Sequence, residues 1–130
     1  MVLPDEMRDS FFGLLGMDFA SDAGEFAVSV DLGPQHMNPN GLAHGGVAYS
    51  LIDTAMGAAT MTVVPDGGRC ATLEIHVRYH HGARSGRLTA TAELVSHTKT
   101  VAQMAATVVD QDDRLIASAT GSFTITPPRD

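Results

Sequence analysis

His44-Gly45-Gly46 stands where an aperiodic loop gives way to a helical pattern, and Asp53 follows on the same helix as the only acid between Asp31 and Asp66. The first amides of a helix have no intrahelical partner and carry the positive end of its dipole. Glycines let another group approach that backbone closely. Such a terminus suits a carbonyl oxygen that becomes negative under nucleophilic attack. A carboxylate two turns further on, in an otherwise apolar helix, is costly unless it is paired or put to use. It can activate water or attack directly.

Taken singly, these residues have plainer readings. Gly45-Gly46 also reads as a tight turn before a helix, Asp53 as a buried hydrogen-bonded acid, and Asn38 and Asn40 as turn residues. Their conjunction is more specific than its parts. Elsewhere the chemistry thins out. Ser50, in Ala48-Tyr49-Ser50-Leu51-Ile52, lacks the G-x-S-x-G elbow of serine hydrolases. Cys70 has no partner that would make it a nucleophile and reads as a small buried hydrophobe. On one strand, His76 and His80 would point the same way but lie on the order of 13 Å apart, too far for one ion. No metal site is expected.

The elements that must position these residues follow from periodicity. Met7, Phe11, Leu14 and Leu15 give an amphipathic helix over Met1 to Gly16, with Gly16 as its stop. Residues 17–23 are ambiguous. Glu25 to Leu32 alternates as a half-buried strand. Gly33 to His44 is a loop. From Gly45 the pattern is helical and apolar nearly all round, so that helix should be buried on most sides. Pro65-Asp66-Gly67-Gly68 ends it. Four strand-like runs follow, 70–80, 86–97, 100–110 and 114–126, with turns between them. Strand, one long apolar helix, then strands in series predicts an α+β chain with an antiparallel sheet packed on a single helix. Such a sheet has edges to cover, and subunit pairing is one way to cover them. A homo-oligomer, a dimer or a tetramer, is expected.

The 130 residues fit one domain, 1–130. Apolar residues are 44% of the chain, enough for a core without disulfides. Charged residues are only 18%, a hint that some surface is covered by another subunit. A net charge of −7 argues against general nucleic-acid binding. It also requires a local basic cluster for any polyanionic ligand. One cysteine suits a reducing cytoplasm, and no stretch reads as a signal peptide or a membrane span.

The pattern H-x-N-x-x-G-x-x-H-G-G-x-x-x-x-x-x-D-T-A, from His36 to Ala55, resembles the active-site segment of PaaI-type hotdog thioesterases. The similarity extends more loosely through the downstream strands to Gly121-Ser122-Phe123. The resemblance implies a hotdog fold and hydrolysis of acyl-CoA thioesters, with no cofactor beyond the CoA of the substrate. It implies Asp53 as catalytic base or nucleophile and the Gly45 amide as oxyanion donor. Asn38 would place water or thioester, His44 would organise the loop, and Thr72 would hold the water or the carboxylate. It further implies that Asp53 faces Gly45 of a neighbouring subunit. Gly46 would border the substrate. Arg84, preferred for its exposed turn, Arg87 and Lys99 are the candidates for the CoA phosphates. Met56, Met61 and Met104 could line an acyl pocket or simply be core. Two rivals remain: an acyl-CoA hydratase or dehydratase of the same fold, and a non-catalytic acyl-CoA binding module.

Overall fold

The computed structural model describes residues 5–129. The element order is α1 (Asp5–Arg8), α2 (Phe11–Leu14), β1 (Met17–Phe19), β2 (Val28–Asp31), α3 (Gly45–Thr60), β3 (Arg69–Tyr79), β4 (Arg87–His97), β5 (Val101–Val109) and β6 (Leu115–Thr126). The strands form one six-stranded antiparallel sheet in the order β1-β2-β4-β5-β6-β3. It curls around α3, giving the sheet on a single helix that the periodicity predicts and the hotdog architecture that the resemblance implies.

The reason is visible in the burial. Val47, Ala48, Leu51, Ile52, Ala55, Met56 and Ala59 bury one broad face of α3. They pack on the inward residues of the sheet, among them Val28, Val30, Leu88, Met104, Val108 and Phe123. The opposite stripe, through Tyr49, Asp53, Gly57 and Met61, stays partly or fully exposed. The helix is therefore not enclosed all round within one chain, as its composition alone suggests.

The N-terminal prediction needs correction. In place of one helix there are two separate turns, α1 and α2. Ser10 interrupts them, its hydroxyl donating to the Met7 carbonyl. Gly13 packs so closely on the Arg8 backbone that any Cβ there would collide. The predicted helix also begins at residues 1–4, which lie outside the described residues. The ambiguous stretch contains β1, and the predicted 25–32 strand shortens to Val28–Asp31.

Strand β3 matters most for the site. It pairs only with β6, so its other edge is unpaired among the described residues. It also carries a β-bulge between Thr72 and Glu74. Cys70 and Thr72 lie opposite Ile125 and Phe123, which are buried, so they face α3. Beyond the bulge it is Ile75, Val77 and Tyr79 that face α3, opposite Gly121, Ala119 and Ala117. The extra residue, Leu73, shifts the alternation by one position.

Candidate active site

The loop before α3 is a small hairpin. The His44 N–H donates to the His36 carbonyl at 2.8 Å, and the Asn38 N–H to the Leu42 carbonyl at 2.7 Å. Met37 and Ala43 form the rung between them. The Asn38 side-chain oxygen accepts from the Asn40 and Leu42 amides at 2.9 and 3.2 Å, closing the tip. Asn38 is thus a loop organiser whose remaining polar group is its NH2. His36 is buried at the base of this hairpin. Its Nδ1 accepts from the Gly33 N–H at 2.9 Å and its Nε2 donates to the Leu15 carbonyl at 2.7 Å, a neutral ring fixed at both ends.

This hairpin delivers His44 as the N-cap of α3. The His44 Nδ1 accepts from the Gly46 N–H at 2.8 Å. That places the proton of the neutral ring on Nε2 and engages the Gly46 amide. Among the described residues the Gly45 N–H has no hydrogen-bond partner. The Gly45 carbonyl accepts from the Tyr79 hydroxyl at 2.6 Å. Burial raises the Tyr79 pKa above that of a free phenol, with Tyr49 adding to the shift, so the hydroxyl stays a donor. Gly45 and Tyr79 border a cavity of about 330 Å³, with Ala48, Leu88 and Ile116 also lining it.

Asp53 is half-buried on the less covered stripe of α3. Its Oδ1 accepts from the Thr72 hydroxyl at 2.6 Å. The pair faces an open groove lined also by Phe19, Gly57, Ala58, Met61, Cys70 and Phe123. Cys70 is half-buried, and burial, then the charge of Asp53, pushes its thiol pKa up. It packs against the core as the sequence suggests, only partly buried, and borders Asp53. Of the methionines, Met56 and Met104 are core, whereas Met61 is exposed on the groove.

The predicted residues therefore fall into two groups. Asn38, His44, Gly45 and Gly46 sit together at the N-terminus of α3. Arg84 joins them, its guanidinium reaching over Gly41 at the hairpin tip. Asp53 and Thr72 form the second group. Eight residues of helix separate Gly45 from Asp53, about 12 Å along the axis and on the order of 80° around it. Lys99 lies in the β4–β5 turn, at the end of the sheet away from the N-terminus of α3. Arg87 bonds the Ser29 hydroxyl at 2.7 Å. Among the described residues no three His, Cys, Asp or Glu side chains gather as a metal-ligand set, and no helix is long and apolar enough to cross a membrane.

The family model of the thioesterase superfamily matches residues 40–117, which hold Gly45, Asp53, Thr72 and Tyr79. The chain belongs to the thioesterase superfamily. It is a hotdog-fold thioester hydrolase. A Halobacterium salinarum protein with a provisional esterase name is 33% identical over 127 residues, 89% of this chain and 82% of its own. The BH2602 protein of Bacillus halodurans, solved with CoA, superposes with a TM-score of 0.82 at 30% identity over 92% of this chain and 78% of its own. The PaaI protein of the phenylacetic acid degradation operon of E. coli shares the fold with a TM-score of 0.82 at 23% identity, over 95% and 88%.

Proposed function

We propose that this thioesterase domain, residues 1–130, hydrolyses acyl-CoA thioesters at a site built by two copies of the chain. The observation that carries this reading is the placement of its two chemical halves. The Gly45 amide and the Asp53 carboxylate point into different depressions of one protomer, about 12 Å apart along α3. A reacting carbonyl and its water span only about 3 Å each way to their partners. A second protomer, turned so that its Asp53 faces Gly45 of the first, closes that distance. The unpaired β3 edge and the exposed stripe of α3 are the surfaces that favour such pairing, by strand addition and apolar burial.

In this arrangement the thioester oxygen docks at the Gly45 N–H. Thr72 donates its proton to Asp53 Oδ1 and keeps lone pairs that accept from water. A water held by Asp53 Oδ2 and Thr72 Oγ1 attacks the carbonyl carbon while Asp53 takes one of its protons. The tetrahedral oxyanion is held by the Gly45 amide and the helix dipole. Its collapse breaks the carbon–sulfur bond, and the CoA thiolate leaves and takes up a proton. His44 and Asn38 hold the loop and need no proton-transfer role.

Arg84, whose guanidinium lies over Gly41 at the hairpin tip, suits the CoA phosphates, while Lys99 would serve only from a second copy. The BH2602 relative solved with CoA supports CoA as the carrier. The free thiol of Cys70 fits a reducing cytoplasm.

The test is a panel of acyl-CoA thioesters, aryl and aliphatic, with free-thiol detection, on wild type and Asp53→Asn. Turnover that disappears with Asp53→Asn is the expected result. Enoyl-CoA hydration, or tight acyl-CoA binding without turnover, would contradict it.

A further inference from the structure

We propose that Tyr79 is the positioning residue of the oxyanion donor, locking the Gly45–Gly46 peptide at its carbonyl while His44 holds its N–H. The proposal rests on the reading above, in which the Gly45 N–H receives the thioester oxygen. Two consecutive glycines begin α3, and glycine is the residue with the widest backbone freedom. A donor built on them is preorganised only if their peptide planes are held from outside. The structure accounts for each plane. The peptide from His44 to Gly45 is held at its carbonyl, which accepts from the Val47 N–H at 2.9 Å. Its other end, the Gly45 N–H, is the free donor. The next peptide, from Gly45 to Gly46, is held at both ends. The His44 Nδ1 takes the Gly46 N–H at 2.8 Å, and the Tyr79 hydroxyl donates to the Gly45 carbonyl at 2.6 Å.

These clamps crowd the space of the missing side chains. A Cβ on Gly45 would lie 3.2 Å from the Tyr79 hydroxyl oxygen and 3.3 Å from its Cζ. A Cβ on Gly46 would lie 3.0 Å from the His44 Nδ1. Gly45 thus admits Tyr79 and Gly46 admits His44. Tyr79 is the last residue of β3, and it faces α3 because the bulge at Leu73 has shifted the alternation of that strand. Its phenol is held up as a donor by partial burial.

The test is Tyr79→Phe, which removes the hydroxyl and keeps the ring. Steady-state hydrolysis of octanoyl-, benzoyl- and phenylacetyl-CoA is measured for wild type and variant, together with the melting temperature. The infrared carbonyl band of the bound thioester is recorded in an Asp53→Asn background, with and without Tyr79→Phe. We expect kcat to fall about tenfold, less than the hundredfold or more typical of deleting an oxyanion donor outright. KM should stay within about twofold and the melting temperature within a few degrees. The carbonyl band should move back toward the frequency of free thioester. A kcat within about twofold of wild type with an unmoved band would overturn the proposal. So would a loss matched by a fall in melting temperature, since that marks a merely structural bond. Full activity in Asp53→Asn alone would instead strike the underlying reading of the site, and the Tyr79 role with it.

Discussion

The Thr72 hydroxyl donates to the Asp53 carboxylate across 2.6 Å, tying edge strand β3 to the central helix α3. Only one oxygen of the carboxylate is used by this bond, and Asp53 borders the groove. The bulge that follows Thr72 lets Tyr79, seven positions later, face α3 as well. A regular strand would place residues 72 and 79 on opposite faces.

The first prediction concerns this pair. Asp53→Asn should lower kcat by about 10²- to 10⁴-fold, the usual contribution of a positioned general base. Thr72→Val should cost about tenfold or more, as expected for a hydrogen bond to a charged group, while Thr72→Ser keeps most of the activity. Steady-state kinetics with free-thiol detection checks both. A Thr72→Val enzyme as fast as wild type would remove Thr72 from the site.

Cys70 reports on the same carboxylate. Burial and the Asp53 charge both disfavour its thiolate, so its pKa stands above the ordinary thiol value. At pH 8 the group is a thiol, and alkylation by iodoacetamide should be slower than for a free cysteine. Asp53→Asn removes only the second cause, and the rate at fixed pH should rise by about two- to tenfold. An unchanged rate would show that the two groups do not sense each other.

Assembly gives a third prediction. Leu73 is a large apolar residue, 56% exposed on the edge strand β3. Leu73→Lys places a charge along the edge proposed to pair with a second copy. Light scattering should show a shift toward monomer at low concentration, and specific activity should fall in proportion. A monomeric variant with full activity would contradict the shared site.

Much of this was legible in the sequence, for reasons that can be named. The four runs 70–80, 86–97, 100–110 and 114–126 agree with β3 to β6 within a residue or two, because alternation over nine to twelve residues is a strong signal. The helix start at Gly45 was readable from the glycines and the change of period. Weaker spots have local causes. The N-terminal helix splits at Ser10, a side chain that competes for backbone carbonyls. β1 has only three residues, too few for a pattern. Tyr79 escaped notice because strict alternation from Thr72 puts it on the wrong face, and one inserted residue, Leu73, reverses that. Cys70 does pack against the core, but its closeness to Asp53 is a tertiary fact. The separation of Gly45 from Asp53 was readable from their eight-residue spacing on one helix, whereas the approach of Arg84 to Gly41 is a tertiary fact.

The most direct measurement mixes two inactive variants. Asp53→Asn lacks the carboxylate, and Gly45→Pro lacks the amide N–H at the first helical position, where the proline backbone fits and the Tyr79 ring must yield a few tenths of an ångström to its Cβ. The two are co-expressed with different tags, and the mixed dimer's contribution is read by free-thiol release. If each site takes Gly45 from one copy and Asp53 from the other, a mixed dimer has one intact site of two. Random pairing makes half the dimers mixed, so the preparation should recover about a quarter of wild-type activity. A mixture as inactive as its two components would contradict the shared site.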